Sequence, residues 1–186
     1  AAPATILKER RDILPPDPNI GWMGADDLSV KAWIAGNKDG LVFCAEVTDD
    51  KHEAHQSSSD DYWGSDSIQL AIDPYNNSMA GYNDDDRELG LVLGTDGAKL
   101  YSTLPRIAEP LKAPVAIKRT GTTTTYEAQI PWSALNLSTP LPGKIMAINF
   151  IVNDNDGQGR SYWIGMTPGI GENKSPNIFR KFAFPH

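Results

Sequence analysis

Cysteine, histidine and positive charge are all scarce in this sequence, and each shortage narrows the class of protein. Cys44 is the only cysteine among 186 residues, so an intramolecular disulfide is impossible and a disulfide scaffold is excluded. It lies in the apolar run Leu41–Ala45 and is predicted to be a small buried hydrophobe. Lysine and arginine total 17 against 24 aspartates and glutamates, a formal charge of -7. This argues against nucleic acid and anionic membranes as partners, because both bind basic surfaces. No apolar run approaches the roughly 20 residues of a membrane span.

Helix signals are also scarce, whereas turn residues are plentiful. The chain has 16 glycines and 14 prolines, and many short segments alternate between apolar and polar residues. Val30, Ala32 and Ile34 alternate in this way, and the turn Asn37–Gly40 separates them from the run Leu41–Val47, which predicts a β-hairpin. An all-β fold follows, a β-sandwich of two largely antiparallel sheets with short helical turns. Further strands are predicted at Ser67–Asp73, Leu89–Leu93, Lys99–Thr103, Val115–Arg119, Thr124–Ile130, Ile145–Asn153, Ser161–Ile164 and Ile178–Phe184.

The predicted domain organisation is one sandwich preceded by a short arm. Residues 1–20 contain Pro15–Pro18, which suits neither a helix nor a central strand, and are predicted to be a linker or an N-terminal arm. Residues 21–186 then form the sandwich domain. Single helical turns are predicted at Pro131–Leu135 and Asp84–Glu88.

Carboxylates cluster in the loops between the predicted strands. Asp84, Asp85 and Asp86 are consecutive and repel one another unless a cation compensates, and Asp73 ends a predicted strand nearby. Oxygen-only clusters of this kind suit Ca²⁺, so these four residues are predicted to hold structural calcium. The alternative is that they form solvated loops. Two further candidate segments are Asp49–Asp50 and Asn153–Gly157, the second without the downstream glutamate of an EF-hand.

Among the five tryptophans, Trp63 has an unusual setting. Trp33 and Trp132 lie in apolar patterns and are predicted to be core or partly core residues, with Trp33 assigned to the core, whereas Trp63 lies in a polar loop before a strand. An exposed indole is a platform on which the apolar face of a sugar stacks, while polar side chains take its hydroxyls. Gln69 follows at an even spacing and is predicted to project on the same side. The alternative is that Trp63 is a lid on the core.

No catalytic constellation stands out. His52 and His55 lie in a polar stretch without a serine–aspartate partner or a zinc spacing, and all three histidines, with His186, are predicted to be surface residues. A carboxylate pair for glycoside hydrolysis stays possible, although no single pair is marked by the sequence. The chain is therefore predicted to be noncatalytic.

Several segments, in this order, resemble family 9 carbohydrate-binding modules. The resemblance extends from about Ser29 to Phe184 and is fairly specific in its combined order and spacing. It rests on Tyr62–Asp73, Gly81–Asp86, Thr125–Trp132, Asn153–Asp154 and Ser175–Phe179.

The resemblance implies a β-sandwich with bound calcium, attached to an extracellular polysaccharide-degrading enzyme. In sugar-binding members two tryptophans enclose the sugar, and Trp63 matches the first of them. Gln69 stands at the neighbouring acidic position, and Glu172–Lys174 stands where the second tryptophan is expected. Positions that supply polar contacts in the family are occupied here by Gly90, Val92 and Ile151.

The function predicted from these residues is noncatalytic carbohydrate binding by a module of a secreted or cell-surface enzyme, extracellular or periplasmic. Trp63 would stack on the sugar and Gln69 would bind a hydroxyl. Secondary candidates are Asn153, Arg160, Tyr162 and Trp163, of which Arg160 would matter for a uronate or sulfate.

Two other functions stay open. One is a structural domain that supports a catalytic neighbour without binding sugar. The other is a haem domain for electron transfer, which the wider group also contains and which needs Met and His ligands. Its candidate ligands are Met23, Met79, Met166, His52 and His55.

Overall fold

Two antiparallel β-sheets pack face to face, which confirms the predicted sandwich. A computed structural model describes residues 4–17, 19–56, 61–138 and 143–184. Residues 1–3, at the start of the predicted arm, and residue 185 and His186, at the end of the predicted sandwich domain, lie outside the described residues.

The smaller sheet has five strands. They are β1 Thr5–Leu7, β3 Leu28–Gly36, β4 Gly40–Asp49, β9 Val115–Thr120 and β10 Thr123–Pro131, in the spatial order β1-β3-β4-β10-β9. The predicted hairpin is confirmed as β3 and β4, which pair along their whole length from Leu28 opposite Asp49 to Gly36 opposite Leu41.

The larger sheet has eight strands and contains the longest buried ones. They are β2 Ile13–Leu14, β5 Ser67–Asp73, β6 Arg87–Gly94, β7 Gly97–Leu104, β8 Arg106–Ile107, β11 Ile145–Asp154, β12 Tyr162–Gly165 and β13 Arg180–Ala183. The spatial order is β2-β12-β11-β5-β6-β7-β8, with β13 pairing the first half of β11. β5 and β11 are central, and their apolar residues are buried on both faces.

The N-terminal residues contribute an edge strand to each sheet. β1 pairs with β3 in the smaller sheet, and β2 pairs with β12 in the larger one. The segment that the sequence assigns to a linker or arm thus carries strands that pair with the sandwich.

The core lies between the sheets and follows from strand alternation. Ile68, Leu70 and Ile72 of β5 point inward, and the rings of Phe43 and Phe150 meet edge to face with centroids 5.5 Å apart. Alternate residues of the larger sheet therefore point outward, onto a second face that is itself largely covered.

Tyr62 covers part of that outer face. The single-turn 3₁₀ helix Tyr62–Gly64 lays the ring of Tyr62 against Gly90, where an added Cβ would lie 1.9 Å from the ring. The ring also stacks on Tyr101 with centroids 5.8 Å apart. A glycine on β6 is required for this close approach, which holds the neighbouring Trp63 over the sheet.

One of the two predicted helical turns is confirmed. Trp132–Leu135 forms a 3₁₀ turn, but Asp84–Glu88 does not, because Arg87 and Glu88 already belong to β6. The residues before β6 instead form hydrogen bonds between backbone and side-chain groups. The backbone N–H of Asn83, for example, donates to Asp86 Oδ2 at 2.8 Å.

The predictions that Trp33 and Cys44 are core residues were wrong. These two residues are register partners on β3 and β4, and both lie half-buried on the outer face of the smaller sheet. Their neighbours Ala32 and Ala45 take the inward positions. Trp132, by contrast, is 3% exposed, and its Nε1 donates to the Asn37 carbonyl at 2.9 Å.

These positions predict that replacing each tryptophan with alanine lowers the free energy of unfolding by a different amount. Trp132→Ala should lower the free energy of unfolding by about 3–5 kcal/mol, because it leaves a cavity in the core. Trp33→Ala should cost less than about 2 kcal/mol, since its indole borders solvent. Urea unfolding of both variants measures the difference, and equal losses would contradict the assigned faces.

Candidate functional site

A cleft of about 410 Å³ lies on the outer face of the larger sheet. This volume is within the range of roughly 300–1,000 Å³ typical of small-molecule sites. Trp63 forms one wall, and the other principal groups are Gln69, Glu88, Arg160 and Lys174.

Trp63 projects from the turn that Tyr62 anchors and is 49% exposed. The guanidinium of Arg160 lies over its ring at 5.1 Å from the centroid, and over the ring of Trp163 at 4.3 Å. These cation–π contacts place a charged donor group directly beside the exposed indole.

A relay of hydrogen bonds forms the floor of the cleft. Arg160 Nη1 donates to Asn153 Oδ1 at 3.2 Å, and Asn153 Nδ2 donates to Gln69 Oε1 at 3.3 Å. Gln69 Nε2 then donates to Glu88 Oε1 at 3.0 Å. Asn153, Gln69 and Glu88 are all buried, so this relay pairs polar groups that would otherwise be costly in the sheet.

Glu88 ends the relay and is saturated with donors. Its Oε2 accepts from the Tyr82 hydroxyl at 2.6 Å and from Lys174 Nζ at 2.7 Å. Sequence patterns alone do not select Glu88 or Lys174 as site residues. On β6, Gly90 is the register partner of Gln69 on β5. Glu88 lies two residues before Gly90, so its side chain points to the same face of the sheet as that of Gln69. The strand register would therefore have identified Glu88.

The structure brings together most of the predicted sugar-binding residues. Trp63, Gln69 and Arg160 line the cleft, although the amide of Gln69 is already engaged on both sides. Asn153 lies beneath the surface and supports Arg160, and Trp163 is buried below the same guanidinium.

Tyr162 does not belong to this group. It precedes Trp163 on β12, so alternation turns it to the inner face, where it joins the main core. Its hydroxyl donates to Asp27 Oδ2 at 2.8 Å. Tyr162, predicted as a secondary sugar-binding candidate, is therefore placed away from the cleft.

One acidic cluster at the end of β5 has the donors of a cation site. Oxygens of Asp73, Asp85 and Asp86 lie within 4.8 Å of one another, and Asp73 and Asp86 are buried. Asp85 Oδ2 and Asp86 Oδ1 are buried without a hydrogen-bond partner. The oxygen set therefore fits a hard cation such as Ca²⁺, which would neutralise it.

Asp84 is not part of this cluster. Its side chain is exposed, and its backbone carbonyl accepts a hydrogen bond from Arg87 Nη1 at 3.0 Å. Of the three consecutive aspartates predicted to share the site, Asp84 therefore has its side chain directed outward, away from the other two.

Further acidic groups meet at the opposite end of β5. Asp49, His52 and Asp66 form one group of potential ligands, and Asp27, Asp50 and Asp156 form another. The first group contains Asp49 and the second contains Asp50, both from the candidate segment Asp49–Asp50. The second group also contains Asp156, from the candidate segment Asn153–Gly157.

The prediction that His52 and His55 are surface residues was wrong. The His52 side chain is 8% exposed, with Nδ1 at 3.6 Å from Asp49 Oδ2 and 3.8 Å from Asp66 Oδ2. His55 is buried near Ser65, with Nδ1 and Oγ 3.3 Å apart. Residues 50–56, which follow β4, fold back over the end of the sandwich, which their polar sequence does not reveal.

Burial and mutual repulsion perturb two carboxyls at this end. Burial, reinforced by the Asp49 carboxylate, raises the pKa of Asp66 to about 8 and that of Asp154 to about 7. Backbone N–H groups of Glu53 and Asn155 donate to Asp66 and oppose its shift.

The sandwich and its cleft define a β-sandwich binding domain. Residues 16–181 match the family described as "Carbohydrate family 9 binding domain-like", so the chain belongs to this family. The resemblance read from the sequence is thereby confirmed.

Two solved structures of similar fold are described as family 9 modules. A family 9 carbohydrate-binding module from Caldicellulosiruptor kristjanssonii, in complex with cellotriose, is 21% identical with a TM-score of 0.71, covering 94% of this chain and 81% of that one. A family 9 module from the same organism, in complex with glucose, is 22% identical with a TM-score of 0.68, covering 84% and 76%. A search of the curated proteins gave no match.

The raised carboxyl pKa values predict a dependence of stability on pH. An unfolded aspartate has a pKa near 3.9, so the folded state binds more protons between about pH 4 and 8. The stabilisation is complete below about pH 4 and is lost as the pH rises to about 8.

Urea unfolding with EDTA should therefore give a lower free energy of unfolding at about pH 8 than at about pH 5. Asp66→Asn should make the decline shallower, because one of the titrating groups is gone. A free energy that stays constant or rises with pH in the parent protein would contradict the assignment.

Proposed function

We propose that this chain is a noncatalytic module that binds carbohydrate in the cleft beside Trp63. The observation that carries the proposal is the half-exposed indole set above a fixed polar floor. A pyranose has one apolar face and a rim of hydroxyls, which matches an aromatic wall next to hydrogen-bonding groups.

The floor is rigid before any ligand arrives. Because Asn153 and Gln69 are locked by the relay, the groups above them need little ordering on binding. Thr103 and Arg106 also line the cleft and offer further hydrogen-bonding groups at its edge.

The relatives support the same class of ligand. The two similar modules are described in complex with cellotriose and with glucose. The present cleft differs from the two-tryptophan arrangement of the family, since Gly171 and Lys174 line it where the second ring is expected. One aromatic wall predicts modest affinity.

The larger setting is proposed from the family resemblance. The module would belong to a secreted or cell-surface polysaccharide-active enzyme, extracellular or periplasmic, whose catalytic domain it would hold near its substrate. Among the described residues, no helix is long and apolar enough to cross a membrane.

Calcium is proposed as a structural ion at Asp73, Asp85 and Asp86. Two buried unpartnered oxygens in that cluster support it. The ion would tie the loop before β6 to the end of β5 by neutralising their carboxylates. It lies apart from the cleft and takes no part in binding the sugar.

The other two functions have less support. A purely structural role does not account for the exposed indole of Trp63 beside a polar cleft. Of the possible haem ligands, Met23 and Met79 are exposed, Met166 Sδ accepts from the Thr5 hydroxyl, and His52 faces carboxylates. A visible absorption spectrum tests the haem function directly.

Loss of the indole should remove most of the binding energy. We expect a Kd between about 10 μM and 1 mM for a glycan found on an array. Trp63→Ala should weaken it by about 2 kcal/mol or more, roughly thirtyfold, because an aromatic anchor is lost. Calorimetric titration measures this.

Trp33→Ala is the matched control, since its indole lies on the outer face of the other sheet. Its affinity for the same glycan should equal that of the parent protein. Normal binding by Trp63→Ala would remove the cleft from consideration, and absence of any glycan ligand would defeat the proposed function.

Calcium should stabilise the fold by mass action. At 100 times its Kd, Ca²⁺ should add about 2.7 kcal/mol to the free energy of unfolding, which EDTA should remove. Asp86→Asn should lose this gain, whereas the neighbouring Asp84→Asn should keep it, because Asp84 lies outside the cluster. Equal melting temperatures in Ca²⁺ and EDTA, after verified metal removal, would count against the site.

A further inference from the structure

The cleft is rich in cations although the protein is acidic. The chain carries a formal charge of -7, yet among the described residues Arg106, Arg160 and Lys174 line the cleft with Asp61 and Glu88 as the carboxylates. Such a local reversal of charge indicates the sign of a ligand better than the net charge does.

One of these cations is internally compensated. Lys174 Nζ lies 2.7 Å from Glu88 Oε2, so the two charges largely cancel within the cleft wall. Glu88 is further held by Gln69 and Tyr82 and is therefore a poor source of repulsion for an anion.

Arg160 is not compensated in this way. Within residues 4–17, 19–56, 61–138 and 143–184, no carboxylate lies within 4.0 Å of its guanidinium. Its one hydrogen-bond acceptor is the neutral amide oxygen of Asn153 at 3.2 Å, and the carboxylate of Glu172 acts only from farther away. A half-buried cation without an ion pair is costly unless a ligand supplies the negative charge.

The geometry leaves the edge of the guanidinium available. Its central carbon lies 5.1 Å from the centroid of the Trp63 ring and 4.3 Å from that of the Trp163 ring, and its N–H groups point outward in the guanidinium's own plane. A guanidinium has five N–H donors, and within the described parts of the chain only Nη1 of Arg160 has an acceptor. Two parallel N–H groups match the two oxygens of a carboxylate.

We infer that the sugar bound in this cleft is a uronic acid residue, whose carboxylate pairs with Arg160 while its ring stacks on Trp63. This rests on the proposed function and specifies its ligand class. Cation–π contact holds Arg160 in place before binding, so little side-chain entropy is lost when the carboxylate arrives.

The test compares a trisaccharide of galacturonic acid with its fully methyl-esterified form by calorimetric titration. Esterification removes the charge and keeps the pyranose rings. The acid should bind at least about tenfold more tightly than the ester, since a charge-assisted bidentate pair is lost. Its affinity should also fall as NaCl is raised from about 50 to about 500 mM, where screening is stronger.

Variants then assign the preference to one side chain. Arg160→Gln should bring the acid-to-ester affinity ratio close to one, and Arg160→Lys should give an intermediate ratio, because it keeps charge without the fork. Arg180→Gln, which removes an exposed arginine on β13, should keep the parent ratio. Thermal melts verify that each variant is folded.

The outcomes separate the two proposals. If cellotriose binds at Trp63 but the acid gains nothing over its ester, the proposed function stands and the uronate inference fails. Tight binding of a sulfated trisaccharide together with an acid-to-ester ratio of one also overturns it. If no sugar binds, both proposals fail.

Discussion

Burial of β5 and β11 on both faces is the constraint on which the rest of this structure depends. A strand buried on one face can leave its outward polar residues to water, but these two cannot. Gln69 and Asn153 must therefore find partners within the protein, because an unpaired buried amide is costly. Their partners are each other, Arg160 and Glu88, and this pairing is what shapes the cleft floor. The floor of the cleft therefore results from the need to pair the buried polar side chains of the sheet with hydrogen-bond partners.

The same constraint separates the charges of the molecule. Carboxylates gather in loops at the two ends of β5, around Asp66 at one end and Asp86 at the other. The cations of the cleft lie between them, over the middle of the sheet. An acidic protein thus presents a local surface suited to an anion, while its acidic ends suit cations. Repulsion between the carboxylates at each end is relieved where burial raises a carboxyl pKa, as for Asp66 and Asp86, or where a cation is bound.

The outer face also shows how close packing positions a flexible group. Trp63 lies in a single helical turn among polar residues, just before β5. Its neighbour Tyr62 is fully buried against Gly90 and Tyr101, so the turn has one fixed residue and one exposed one. A side chain at position 90 would displace the tyrosine and with it the wall of the cleft.

Local pattern by itself determined the longer strands, the hairpin of β3 and β4, the all-β class and the selection of Trp63, but not the short strands β1, β2 and β8. Alternation and turn residues are short-range properties, and an indole among polar residues is conspicuous without any knowledge of the fold. Alternation alone could not say which face of β3 is inward, so Trp33 and Cys44 were assigned to the wrong side. It also could not bring Glu88, Lys174 and Arg160 together, or bury His52 between Asp49 and Asp66. Those contacts join residues up to 86 positions apart, as between Lys174 and Glu88. The register of β5, β6 and β11, the residues that follow β4 and the chain between β12 and β13 decide them, because pairing across a sheet depends on packing of the whole sandwich.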